Sequence, residues 1–469
     1  MQTNHSHNVT KNRVLVYGMA GIALLSCVAF AGPARSANSS SKKVATKKLA
    51  RVVKKAVPKK AAPAKLVPTT TKQNNLGQTS STLALSAKAL SASDRFSLRL
   101  YRTLAKGSAP TDNVILSPYS IAEALSMVRG GAAGNTAKEL DSALNGGAAV
   151  DPTSRKNRRQ DLLREQVADS GTYVRIGNSL WIQNGYPLAP AFEEQAKGAY
   201  AAKVEALNLT TDGEGSAKKI NSWISETTEK QIEQLVDAKD LNALSRAVLV
   251  NAVLFHGKWL RPFDKTKTAS EPFTVSGQPV DVPTMQGVGD VTPGKIASTV
   301  SIPYTGEYRM RISVPADGTA PSVDSAMDSL FTGSVDQGRS EQCEKLKITL
   351  PKWKTETKFD LIDPLKSLGI LDLFDSGRAD LSGISQQAKV EGLYIAKAIH
   401  KATVTVDEEG TIAAAATALF AEAVSAPFRP ETCPTEFKVN RPFAYVIQHY
   451  STGEILFAGR VLNPSAGAK

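Results

Sequence analysis

The sequence predicts an α+β fold, and three observations carry that prediction. Ala247 to Phe255 is a nine-residue apolar run broken by one Asn, the pattern of a strand covered on both faces. Ser117-Pro118-Tyr119-Ser120 opens a helix over Ile121 to Arg129, because Ser accepts from orphan backbone N–H groups and Pro suits the first turn. Strand-like stretches at Leu346–Leu350, Leu393–Val406 and Ile455–Val461 follow without the regular strand–helix alternation of a parallel sheet and without an internal repeat.

From the N-terminus, Lys11 and Arg13 precede an almost unbroken apolar stretch, Val14 to Ala31, which closes on Ala29-Phe30-Ala31. Charge, apolar run and small residues together read as an export signal over residues 1–31. Two alternatives stay open at this point: an uncleaved anchor through 14–31, and lipidation at Cys27. Residues 32–91 are rich in Lys, Ala, Pro, Ser and Thr, and ten positive charges fall between Lys42 and Lys65 with no negative one. Such a segment has too little apolar surface to offset its ordering entropy, so it reads as a disordered tether. It is a spacer, or a contact for a polyanion or cell envelope through residues 42–65. Order is expected from about Asp94-Arg95-Phe96, giving one folded domain over 92–469.

The net charge of +13 is misleading until it is located. Residues 1–90 hold fifteen Lys or Arg and no acid, which leaves 91–469 at −2. A nearly neutral body argues against nucleic-acid binding. Catalysis is also unsupported. Beyond the signal only His256, His400 and His449 are candidate bases, and no nucleophile elbow, H-E-x-x-H, C-x-x-C or phosphate loop occurs. No metal or cofactor motif is present. Arg155-Lys156-Asn157-Arg158-Arg159 reads as a solvated helix end, and Asn208-Leu209-Thr210 as a sequon for a eukaryotic secretory pathway.

The most informative stretch is Glu408-Glu409-Gly410-Thr411-Ile412-Ala413-Ala414-Ala415-Ala416-Thr417. A run of tiny side chains holds no core. It is a flexible loop, a short Ala-rich helix, or a segment that later slides between two strands, where small side chains and a pivoting Gly are required.

This stretch resembles the hinge of the serpin family, and further matches follow in family order. They are Asn113 to Ile121, Leu249 to Trp259 with Phe263, Leu350-Pro351-Lys352, Ala379 to Ile384, Asn440-Arg441-Pro442-Phe443 and Phe457 to Pro464. The resemblance implies a large central, mostly antiparallel sheet with two smaller sheets, surrounding helices and an exposed reactive-centre loop at about 408–436. It implies a monomer that inhibits by self-sacrifice. A protease attacks the loop and forms its acyl-enzyme; the cut loop then inserts as a new strand and carries the protease with it, distorting the protease's active site. The alternative within the family is a non-inhibitory carrier, storage or chaperone protein.

By the same resemblance, side chains facing inward on insertion are Thr411, Ala413, Ala415 and Thr417, all small and uncharged. Family spacing puts the cut bond at Val424-Ser425, which suits an elastase-like pocket. Phe428 or Arg429 would instead suit chymotrypsin- or trypsin-like enzymes, with subtilisin-like and papain-like proteases further possibilities. Pro427, Pro430 and Pro434 stiffen the exit of the loop. Ser117, Ser120, Asn251 and His400 match a polar cluster, the shutter, beneath the insertion gap. Lys352 and Glu408 match an ion pair at the breach, the top of that gap, with Trp259 packed there. Cys343 would precede one edge strand and Cys433 its neighbour; beyond what the family supplies, the two either form a Cys343–Cys433 disulfide that would hold that edge or stay as two buried or free thiols.

Overall fold

A computed structural model describes residues 90–164, 171–293, 298–333, 343–411 and 436–467. Helix α1 (Ala92–Gly107) starts two residues before the expected onset of order, because Ser91 and Asp94 close a reciprocal capping box around its first turn. The short strand β1 (Val114–Leu116) leads into α2 (Pro118–Arg129), where Ser117 caps by accepting from Ser120 N–H. Every residue of α2 from Pro118 to Val128 is buried. Next come α3 (Gly134–Asn145), α4 (Pro152–Arg164), β2 (Tyr173–Gln183), α5 (Pro190–Tyr200), β3 (Lys203–Leu207) and α6 (Gly213–Thr227).

The expected long strand is β4 (Ala247–Lys258). Its continuous apolar character has a direct cause. Val248, Val250 and Ala252 pack with Ile220 and Ile224 of α6, while Val253 and Phe255 enter the core on the other side. Both faces are covered, so the two-residue alternation of a half-exposed strand has no reason to appear.

Strands β5 (Ala269–Val275), β6 (Gln278–Pro293), β7 (Thr299–Pro303) and β8 (Tyr308–Ser313) precede helix α7 (Ala320–Thr332). Then follow β9 (Cys343–Pro351), β10 (Trp353–Asp360), α8 (Ile362–Ser367), α9 (Ala388–Glu391), β11 (Ile395–Val406) and the two-residue strand β12 (Gly410–Thr411). The chain closes with β13 (Glu436–Lys438), β14 (Phe443–His449) and β15 (Ile455–Val461).

Among the described residues the strands form two hydrogen-bonded assemblies. One runs β1-β15-β14-β8-β7-β6, and the sixteen-residue β6 continues into a second ladder with β5 and β9, so two smaller sheets share one strand. The other is the central sheet, β10-β11-β12-β4-β2-β3. It is mixed: β4 and β11 run parallel from Ile395↔Ala247 to Ala402↔Val253, and β2 and β3 are also parallel. Above Ala402 the strands β4 and β11 separate, and β12 fills the top of the gap.

Strand β9 corrects the sequence reading. It lies between β6 and β13, so it is internal, and β13 is the outer strand. Cys343 is its first residue, in register with Val291. Cys433 and residues 1–89, which include Cys27, the signal and the tether, lie outside the described residues.

Candidate functional site

The parting of β4 and β11 creates a site, and the segment that occupies it is Asp407 to Thr411. Thr411 pairs with Val406 on one side and Gly257 on the other, and Gly410 pairs with Lys258. Gly410 has φ +154, and a Cβ placed on it would lie 1.9 Å from the Gly257 carbonyl oxygen. No other residue fits that contact. The expectation of an exposed loop from residue 408 is therefore corrected: Glu408, Gly410 and Thr411 are buried. Residues 412–435, which include Ala413, Ala415, Thr417, Val424 and Ser425, lie outside the described residues.

Three kinds of contact hold this docked segment. Backbone N–H groups of Trp259 and Phe263 donate to the carbonyls of Glu409 and Glu408, at 2.9 and 2.8 Å, and Trp259 Nε1 donates to the Asp407 carbonyl at 2.9 Å. Lys352 Nζ and Thr268 Oγ1 then donate to the two oxygens of the Glu408 carboxylate, at 2.8 and 2.7 Å, and Lys265 pairs with Glu409. Burial pushes the Glu408 carboxyl up, but hydrogen bonds from Lys352 and Thr268 outweigh it and leave the group below its ordinary value. The Glu408 carboxylate is mostly buried while Lys352 stays partly exposed, so the pair contributes about 1 kcal/mol, at the upper end for a surface pair.

The third contact is a hydroxyl pair, Tyr304 OH and Thr411 Oγ1, 2.7 Å apart and both fully buried. The Tyr304 ring stacks on Trp259 at 4.3 Å, and Trp259 meets Phe263 edge to face. An aromatic wall thus fixes the hydroxyl that meets Thr411.

Below the gap, Ser117, Ser120, Asn251 and His400 come together as one buried cluster with Asn178. Asn251 is its hub. Its Oδ1 accepts from Ser120 Oγ at 2.8 Å and from His400 Nδ1 at 2.5 Å; its Nδ2 donates to Asn178 Oδ1 at 2.7 Å and to the Ser120 carbonyl at 3.1 Å. His400 Nε2 accepts from the Ser117 N–H at 3.1 Å, so the proton sits on Nδ1 and the ring is neutral. The Ser117 side chain stays with α2 as its cap, and only its backbone reaches the histidine.

Burial lowers the His400 pKa from 6.5 to about 3. A depressed pKa contributes stability that is present above the unfolded value of 6.5 and lost as pH falls toward 3. The full span is on the order of 5 kcal/mol. Urea unfolding of wild type and His400→Gln should therefore show the wild-type advantage shrinking as pH falls from 7 to 5. An advantage that does not change with pH would contradict the neutral histidine.

Sequence reasoning missed Tyr304, Thr268, Lys265 and Asn178. They lie far from residues 408–411 along the chain, and no spacing rule links them to the hinge. It also misread part of α4. Lys156, Asn157 and Arg158 are exposed as a solvated face would be, but Arg155 and Arg159 are buried. Arg155 Nη1 lies 3.7 Å from Glu123 Oε1, beneath the helix.

Comparisons with known proteins follow the same outline. Residues 91–464 match the model of the family described as Serpin (serine protease inhibitor). Serpin B9 of Homo sapiens is 34% identical over 388 residues, 80% of this chain and 98% of that protein. Among solved structures, Serpin48, described as a highly specific serpin in the insect Tenebrio molitor, is similar with TM-score 0.67 and 27% identity, over 79% of this chain and 97% of that one. Native protease nexin-1, solved with heparin, gives TM-score 0.68 and 25% identity over 80% of this chain and 98% of that one.

Proposed function

The chain belongs to the serpin family of serine protease inhibitors, and from that membership we propose that it traps its target as a suicide substrate, with the segment after Thr411 as bait. The observation that carries this reading is the docked hinge. Gly410 and Thr411 already occupy the top of the gap between β4 and β11, paired to both strands. The residues that would follow Thr411 into the gap on the same face, Ala413, Ala415 and Thr417, are small enough to pass packed neighbours.

The sequence of events is mechanical once the bond is cut. The protease serine attacks the carbonyl carbon of Val424 and the Val424–Ser425 peptide bond breaks. The acyl-enzyme ester forms on Val424, and the new amine leaves on Ser425. Release of the C-terminal side frees the hinge strand to extend from β12 between β4 and β11. Each inserted residue advances the ester by about 3.3 Å, so the protease is pulled along the sheet before water reaches the ester. The cluster around Asn251 then acts as the shutter, and Lys352, Glu408 and Trp259 as the breach, where the sheet first opens.

Val424 favours elastase-like targets; chymotrypsin-, trypsin- and subtilisin-like enzymes and papain-like cysteine proteases are further targets of the same bait. We place the protein outside the cytoplasm. Residues 1–31 direct its export, residues 32–91 serve as a tether, and the cationic stretch 42–65 meets polyanionic surfaces. The relative solved with heparin is consistent with that last contact. Among the described residues no helix is long and apolar enough to cross a membrane.

The test is incubation of the purified protein with an elastase-like protease, followed by a denaturing gel and mass spectrometry of the released peptide. A denaturant-resistant complex and a peptide beginning at Ser425 are expected. Cleavage without a complex, across elastase-, chymotrypsin-, trypsin- and subtilisin-like enzymes, would replace this reading with a carrier, storage or chaperone role.

A further inference from the structure

Helix α4 is built unlike an ordinary surface helix. The positions that would normally form its apolar stripe, i, i+4 and i+7, are Arg155, Arg159 and Leu162, and these are its buried residues. Beneath them lies Glu123 of α2, with no exposed surface. Among the described residues neither Glu123 oxygen accepts a hydrogen bond, and the facing Arg155 Nη1 and Arg159 Nη1 make none either. Arg159 reaches past the carboxylate toward the Ile176 carbonyl of β2, at 3.5 Å. Among the described residues Tyr119 OH of α2 is likewise buried without a partner, and Tyr200 OH lies beside Gln195 of α5. A second carboxylate closes the rim: Glu454, in the turn after β14, meets Arg158 at 3.3 Å and Ser93 at 3.5 Å, with Asp94 nearby on α1.

We propose that Glu123 is a proton-operated latch for α4, which seats the helix on α2 when the carboxyl is protonated and loosens it when the carboxyl ionises. The geometry supplies the reason. A carboxylate in this space loses its water and gains only the 3.7 Å approach of Arg155, with no hydrogen bond in exchange. A neutral carboxyl avoids that desolvation. It also carries an O–H that can donate within a pocket holding two tyrosine oxygens. When α4 lifts, Glu123 meets water and recovers an ordinary acidity.

Burial raises the Glu123 pKa from 4.5 to about 7, against the pull of Arg155 and Arg159. Glu454 is raised by burial as well. A carboxyl held above its unfolded value stabilises the fold fully below pH 4.5, and that contribution is lost as pH rises through about 7. The docked-to-lifted ratio of α4 should therefore fall by roughly seventyfold between pH 5 and 8. His400 acts with the opposite sign over an overlapping window, so the readout is a difference between proteins at each pH.

The experiment uses the full chain and the isosteric variant Glu123→Gln. Thermal or urea unfolding from pH 5 to 8 should show the variant gaining on wild type steadily as pH rises, and exceeding it at pH 8. Amide hydrogen exchange over residues 152–164, corrected for the intrinsic pH dependence, should show wild-type α4 losing protection between pH 6 and 8 while the variant keeps it. Lys156→Gln, an exposed change on the same helix, should retain the wild-type pH response. A Glu123→Gln protein less stable than wild type at pH 8 would overturn the proposal, because the carboxylate would then be a working ion-pair partner. Wild-type α4 protection that does not change with pH would overturn it independently.

Discussion

Arginine in place of Thr411 is expected to turn the inhibitor into a substrate. Thr411 has no exposed surface; it sits between Val406 and Gly257, and its hydroxyl meets Tyr304. A guanidinium has no anion to meet there, and burying one unpaired costs several kcal/mol. The hinge would leave the top of the gap in the uncut protein and resist re-entry after cleavage. In the proposed mechanism, trapping is a race between insertion and hydrolysis of the acyl-enzyme. A barrier increase of about 3 kcal/mol slows insertion by roughly a hundredfold, enough to give the race to hydrolysis. Titration of active protease against Thr411→Arg should show loop cleavage with complex yield down by up to about a hundredfold. Thr411→Ser keeps the hydroxyl and should stay near wild type. Wild-type complex yield from Thr411→Arg would mean the hinge does not enter the sheet as a strand.

The largest loss of folding stability should come from Asn251→Ala. One side chain satisfies Ser120 Oγ, His400 Nδ1, Asn178 Oδ1 and the Ser120 carbonyl, all buried. Removing it strands these groups in the core and leaves a small cavity. Each abandoned group costs about 1–3 kcal/mol, though neighbours re-pair in part, so a total of roughly 3–5 kcal/mol is expected. Urea unfolding of the uncut protein measures it. The variant should also lose inhibitory activity faster on storage, since the cluster ties α2 to β4 and β11 below the gap. A loss under about 1 kcal/mol would show that the polar groups re-pair without the hub.

What could be read from the sequence was what short-range physics encodes. The cap at Ser117, the run from Ala247 to Phe255 and the strand Ile455–Val461 each rest on a few adjacent residues, and the structure has them where the patterns put them. The cluster of Ser117, Ser120, Asn251 and His400 was legible only through resemblance, because its members are scattered from residue 117 to 400 and each is an ordinary polar side chain alone. Tyr304 was illegible even so; its partner Thr411 is more than a hundred residues away, and a tyrosine at a strand end gives no sign of which hydroxyl it meets. Two positions of helix α4, Arg155 and Arg159, were misread for a physical reason. Arginines at stripe positions look like a solvated face unless the acid beneath them, Glu123 on another helix, is known. The docking of Gly410 and Thr411 was hidden because tiny side chains suit a free loop and a sheet slot equally well.

The two residues of β12 also bear on the kinetics of insertion. Starting a new strand inside a sheet is the slow, improbable event, since several dihedrals must be fixed before any compensating ladder bonds form. In this protein the nucleus exists before the protease arrives: Gly410 and Thr411 are in register with β4, and Thr411 also with β11. Under the proposed mechanism, what remains after cleavage is propagation, residue by residue, from a fixed end and in one direction. The rate of such a zipper is set by its slowest step rather than by the search for a starting point. A large side chain should therefore be most damaging at whichever inward position meets the narrowest part of the seam, and nearly silent at positions facing out.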